Sequence, residues 1–290
     1  MEKEKFESKK SEVLISNPEL LEQKIARFKE GGLNSIHVLA DFDKTLTKAF
    51  MGKEGFRSVI SLLRDGKHLT PDYADRAHAL FDEYHPDEID LSKPFEYRKQ
   101  RMQEWWNKHF ALLIECGLEK KDLEDIVSSG KIQFRDGVRD FLRDLNQNGI
   151  PLLIISSNGV GNTTPMILEK EGMMSENIHI ITNIFEWDEN GKAVSVQEPT
   201  IHVLNKSEVA VKEYPVFDQI KDRKNVVLLG DGVDDNGMVE GFDFDEIIRI
   251  GFLNEKIDEN RQKYLENFDI VITGDGDMGY VNELMGRILG

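Results

Sequence analysis

Cysteine is almost missing from this sequence: Cys116 stands alone among 290 residues. A single thiol cannot build a disulfide framework or a thiolate metal cluster. Long apolar runs are missing too. Nothing approaches eighteen consecutive apolar residues, so no membrane span is predicted and no membrane partner is expected. The N-terminus, Met1-Glu2-Lys3-Glu4-Lys5, is charged and has no apolar signal core. Together these absences point to a reducing cytoplasm. Positive charge is also scarce, with 37 basic against 54 acidic residues and a net charge of −17. Such a surface repels nucleic acid, so no nucleic-acid partner is expected. A small phosphate ester is not excluded, because one local cation reverses the field inside a pocket. Hydrophobic residues make up 39%, and the length suits one large domain or two unequal ones.

Asn17-Pro18-Glu19 supplies an N-cap, a proline at the first helical position and an acid in the first turn. Leu20, Leu21, Ile25 and Phe28 give that helix an apolar stripe, which Gly31-Gly32 end. Residues 36–40 read as a buried strand. From about 48 to 130 helical periodicity dominates, around Val59, Leu63, Ala77, Trp105, Trp106 and Phe110, and no strand is predicted. Strand and helix then alternate. Strands are predicted at 151–155, 178–181, 226–229, 247–250 and 270–272, with a hairpin turn at Asp188-Glu189-Asn190-Gly191. This alternation predicts a largely parallel sheet with ligands beyond the carboxyl ends of its strands.

The first strand runs into Asp41-Phe42-Asp43-Lys44-Thr45-Leu46-Thr47. Two carboxylates two residues apart on an extended segment point to one side, where they repel unless a cation or proton transfer occupies them. The pair offers a nucleophile, an acid/base and half a metal site. The second strand runs into Ser156-Ser157-Asn158-Gly159-Val160-Gly161, whose backbone N–H groups can converge on an anion. The strand at 226–229 runs into Gly230-Asp231-Gly232-Val233-Asp234-Asp235-Asn236, again crowding carboxylates at a strand end. An N-capped turn accounts for one of those acids but not for Asp231 as well. Ile201-His202-Val203-Leu204-Asn205-Lys206 ends in a lysine, either a surface cap or a fixed charge for a phosphoryl group.

In order, these four clusters resemble the motifs of the haloacid dehalogenase-like phosphohydrolases. With Tyr84-His85-Pro86-Asp87-Glu88-Ile89-Asp90, Glu104-Trp105-Trp106-Asn107-Lys108 and Gly251-Phe252-Leu253-Asn254, the chain is similar to the cytosolic pyrimidine 5′-nucleotidases (cytosolic 5′-nucleotidase III family). The resemblance implies an α/β fold, with a Rossmann-like core at 1–47 and 131–290 and an inserted helical cap at 48–130. It implies a cytoplasmic, Mg²⁺-dependent hydrolase of nucleoside 5′-monophosphates such as UMP and CMP. A phosphatase for another small ester, such as phosphoserine, is the alternative. Asp41 would attack phosphorus, and Asp43 would act as acid and then base. Mg²⁺ would bind Asp41, the Asp43 backbone carbonyl and Asp231, with Asp235 supporting its water shell. Ser157, Asn158 and Lys206 would hold the phosphoryl oxygens, with Ser156 the alternative to Ser157. Glu88 would meet the nucleoside, and His109 stands near the base where the family has a small polar residue. Lys44 adds a positive charge unusual for the family. Nothing here fixes the oligomeric state.

Overall fold

The computed structural model describes residues 11–51, 54–55, 58–90, 92–206 and 214–290, so the charged segment 1–5 lies outside the described residues. A short strand β1 (Val13–Ile15) precedes helix α1 (Pro18–Gly31) and the fully buried strand β2 (Ile36–Ala40). The predicted N-cap forms: Asn17 Oδ1 accepts from the Leu20 amide at 3.0 Å, a contact worth about 1 kcal/mol. Leu21, Ile25 and Phe28 face the core, whereas Leu20 of the predicted stripe is exposed.

The stretch read as wholly helical contains a two-stranded ladder, β3 (Phe50–Met51) with β4 (Glu54–Gly55). Pieces of two residues carry no periodicity to detect. Helices α2 (Val59–Asp65), α3 (Tyr73–Ile89), α4 (Phe95–Glu115) and α5 (Lys120–Ser128) follow. Alternation then begins, with α6 (Val138–Gln147), β5 (Leu152–Val160), α7 (Thr163–Lys170) and β6 (Ile178–Asn183). The hairpin β7 (Phe185–Trp187) and β8 (Ala193–Val196) brackets the predicted turn. The chain continues through α8 (Phe217–Ile220), β9 (Asn225–Gly230) and a 3₁₀ turn at Val233–Val239. It ends with β10 (Glu246–Leu253), α9 (Ile257–Asn267), β11 (Ile270–Thr273) and α10 (Gly279–Leu289).

The main sheet has the order β1-β11-β10-β9-β2-β5-β6 and is parallel except for the antiparallel edge strand β1. Val38, Ala40, Val227 and Leu229 face one apolar layer, while Leu39, Val226 and Leu228 face another. Burial on both faces explains why these strands read as continuous apolar runs. After β2 the chain places β5 and β6 on one side of it and returns to place β9 on the other. A crevice opens at such a reversal, at the carboxyl ends of the strands. A third apolar cluster seats the helices there: Val59, Leu63, Tyr73, Phe110 and Leu113 pack with Val160, Phe185 and Ala193. Phe110 is fully buried in this packing, so it does not face a ligand.

Arg135 ties the loop after β2 to the opposite end of the chain. Its buried guanidinium donates to Thr45 O at 2.8 Å, Asn254 Oδ1 at 2.7 Å, Asp275 Oδ1 at 2.9 Å and Gly276 O at 2.6 Å, and also to Lys44 O. Asp275 in turn accepts from the Ala49 amide at 2.7 Å. Substituting Arg135→Met strands these acceptors and the Asp275 carboxylate, so a loss of about 3–5 kcal/mol is expected. A urea midpoint unchanged from wild type would contradict that role.

Candidate active site

β2, β5 and β9 end at one crevice, and each delivers polar side chains to it. Asp41, Asp43, Ser157, Asn158, Lys206, Asp231, Asp235, Glu88 and His109 all line a single cavity of 560 Å³. The structure therefore brings together every site residue that the sequence singled out. Ser156 is not on the cavity wall; its Oγ accepts from the Gly159 amide at 3.2 Å. Of the two serines, Ser157 is the one that faces the cavity.

Register explains the positions. Asp41 follows the last residue of β2, and its amide donates to Leu229 O of β9 at 3.0 Å. Asp231 directly follows β9. Gly230 lets Asp235 fold back over it: a Cβ at Gly230 would sit 2.5 Å from the Asp235 Cβ. Asp235 Oδ2 then accepts from the amides of Asp231 at 3.1 Å and Gly232 at 2.9 Å. β5 does not stop at Ile155 as expected. It runs on through the Ser157 loop to Val160, because an irregularity in its register keeps it paired with β6.

Lys206 is not a surface cap. The segment carrying it is folded by two asparagines, of which Asn183 was not legible in the sequence. Asn183 Nδ2 donates to Ser157 O at 2.9 Å and Ile201 O at 3.0 Å. Asn205 closes the turn, accepting from the His202 amide at 2.7 Å and donating to Thr200 O at 2.8 Å. The buried Lys206 Nζ then donates to Asp235 Oδ1 at 2.7 Å and to Asp41 Oδ1.

Burial alone would lower the Lys206 pKa, but Asp235 and Asp41 outweigh it and hold the ammonium charged. Burial, partly offset by Lys206, raises Asp41 to about 6. Asp43 is pushed up to about 7 by burial and then by the charge of Asp41, with the Asn158 amide pulling the other way. Burial and the charges of Asp41 and Asp235 raise Asp231 well above its ordinary value. One carboxyl near 7 beside another that stays ionised is the pairing that acid–base work requires.

Asp41, Asp231 and Asp235 each offer a carboxylate oxygen, and these oxygens lie within 4.8 Å of one another. Asp41 Oδ2 is buried without a hydrogen-bond partner. Three crowded carboxylates, one with an oxygen that has no hydrogen-bond partner, fit a hard divalent cation. The Asp43 carboxylate is outside this trio. Lys44 also lines the cavity, and its ammonium lies 3.2 Å from Glu255.

The helices supply the remaining wall. Trp105, Trp106 and His109 of α4 line it together with Phe81, His85 and Glu88 of α3, the Phe81 and Trp105 rings meeting edge to face at 5.9 Å. His85 Nδ1 lies 2.9 Å from Glu88 Oε2, and His109 Nε2 lies 3.1 Å from the Tyr73 hydroxyl. Arg98 of α4 donates to Glu88 O at 2.6 Å and reaches to 3.7 Å from Asp234, joining the helical wall to the β9 loop. Among the described residues no helix is long and apolar enough to cross a membrane.

Residues 44–289 match a family model described as pyrimidine 5′-nucleotidase (UMPH-1). The 7-methylguanosine phosphate-specific 5′-nucleotidase A of Xenopus laevis is 32% identical over 277 residues, covering 95% of this chain and 95% of its own length. The human 7-methylguanosine phosphate-specific 5′-nucleotidase is 32% identical over 282 residues, with 97% and 93% covered. A crystal structure of cytosolic 5′-nucleotidase IIIB bound to cytidine superposes with a TM-score of 0.86 at 27% identity, covering 95% of this chain and 93% of that one. A substrate-bound phosphoserine phosphatase complex, at 15% identity and a TM-score of 0.51, shares the fold over 86% of this chain and 96% of its own.

Proposed function

The chain belongs to the pyrimidine 5′-nucleotidase (UMPH-1) family and is a 5′-nucleotidase, and from that premise we propose that it hydrolyses nucleoside 5′-monophosphates with Mg²⁺ through an aspartyl-phosphate on Asp41. One observation carries the reading: Lys206 bridges Asp41 and Asp235, while the second Asp41 oxygen is buried without a hydrogen-bond partner.

Asp41 attacks phosphorus and the 5′ oxygen leaves. Asp43, raised to about 7 by burial and by Asp41, gives that oxygen its proton and then takes one from the water that releases phosphate. Lys206 offsets charge on Asp41 and on the phosphoryl oxygens, which Ser157 and Asn158 also hold. Mg²⁺ held by Asp41, Asp231, Asp235 and the Asp43 backbone carbonyl would supply further positive charge to the phosphoryl group. Phosphoryl transfer needs mainly positioning and neutralisation, and these residues provide both.

The helical wall is the cap of this reading, 48–130, over a core of 1–47 and 131–290. Its aromatic side chains and Glu88 meet the nucleoside. The family description names pyrimidine nucleotides and the relatives' names 7-methylguanosine phosphate; of these we favour UMP and CMP. The test is turnover of UMP, CMP, 7-methyl-GMP and phosphoserine, with and without Mg²⁺. Nucleotide turnover is expected, lost on chelation and restored by Mg²⁺. Asp231→Asn is expected to raise the Mg²⁺ requirement about tenfold or more. Good turnover of phosphoserine with none of any nucleotide would overturn the proposal.

A further inference from the structure

Beyond its carboxylate end, the cavity is lined by Phe81, Trp105, Trp106 and His109, and among the described residues there stands one permanent cation, Arg64. Arg64 lies in the last turn of α2, and its side chain keeps 20% of its surface accessible. Its Nε is buried and ion-paired with the neighbouring Asp65 carboxylate at 3.8 Å, so the accessible remainder of the fork is what can meet a ligand. Its guanidinium carbon lies 5.9 Å from the centre of the Phe81 ring. A guanidinium offers only donors, five in a planar fork.

The other polar groups at this end divide the work. His109 is neutral, since burial and then the nearby Arg64 charge bring its pKa down to about 4. Glu88 is an acceptor held beside His85. Among the described residues Arg64 is thus the lasting positive charge where, on the function proposed above, the nucleobase sits.

We propose that Arg64 reads the base by donating to a ring carbonyl oxygen, so that the site selects neutral oxo bases such as uracil over a cationic base such as 7-methylguanine. A charge-assisted donor strengthens the contact to an uncharged carbonyl. The same charge repels a base that is itself a cation, and water exclusion amplifies that repulsion. Glu88 accepts from the base N–H on another edge, which uracil also provides.

The test compares kcat/KM for UMP and for 7-methyl-GMP in wild type and Arg64→Met, with a melting curve for each protein. Wild type is expected to prefer UMP. In Arg64→Met the ratio of UMP to 7-methyl-GMP is expected to fall about tenfold or more, mainly through KM for UMP. If Arg64→Met melts below the assay temperature, Arg64→Lys carries the test: it loses the fork but keeps the charge, so UMP weakens while 7-methyl-GMP stays disfavoured. A wild type that prefers 7-methyl-GMP, or a ratio that the substitution leaves unchanged, overturns the role of Arg64 alone. A wild type that hydrolyses phosphoserine and neither nucleotide overturns the underlying nucleotidase reading as well.

Discussion

Asp41→Asn is expected to lower turnover of every substrate by about 10⁴-fold or more, because the attacking oxygen is gone and its partners act as one unit. The same substitution is expected to stabilise the protein when no divalent cation is present. Burial raises the Asp41 pKa to about 6 from an ordinary 3.8. Above pH 6 the folded state therefore holds the ionised carboxylate less well than the unfolded chain does. An amide of the same shape removes that penalty, worth about 1–3 kcal/mol at neutral pH. The advantage shrinks as pH falls from 6 towards 4, since the wild-type folded state takes up its proton first. Melting curves in chelator across that range, paired with turnover assays in Mg²⁺, check both halves. Retained turnover would refute the nucleophile.

Lys206→Met is the complementary experiment, with the second largest expected effect. Its ammonium is buried between Asp41 and Asp235, and the substitution leaves Asp41, Asp231 and Asp235 crowded without their internal cation. Removing one partner from a buried charge cluster costs about 3–5 kcal/mol. Loss of its electrostatic support to the phosphoryl group costs about 10²–10³-fold in kcat. Part of the lost stability is expected to return with saturating Mg²⁺, because a second cation then shares the cluster. A melting temperature that matches wild type without metal, or full activity, would show that Lys206 is incidental.

The carboxylates were legible in the sequence because each stands at the end of a strand that its apolar run announces. β2 and β9 are buried on both faces, so Asp41 and Asp231 interrupt the pattern where it is strongest. Lys206 was ambiguous alone, since its position depends on Asn183, Asn205 and a turn that has no periodic signature. Arg135 and Arg64 were not legible at all. Each reads as one more charge on a helical or loop segment, and what distinguishes them is a set of carbonyls or an aromatic wall from elsewhere in the chain. The edge strand β1 was missed for a related reason. It is three residues long, and its pairing partner β11 lies at the far end of the sequence. Strands of that length exist only through the neighbour they pair with.

The most direct test of the central claim is a rapid acid quench of the wild-type enzyme turning over UMP labelled in its phosphate, followed by mapping of any labelled peptide. An acid-stable, hydroxylamine-labile phosphoryl group on the peptide bearing Asp41 is the expected result. Label on another residue, or none while UMP is being hydrolysed, would contradict the mechanism.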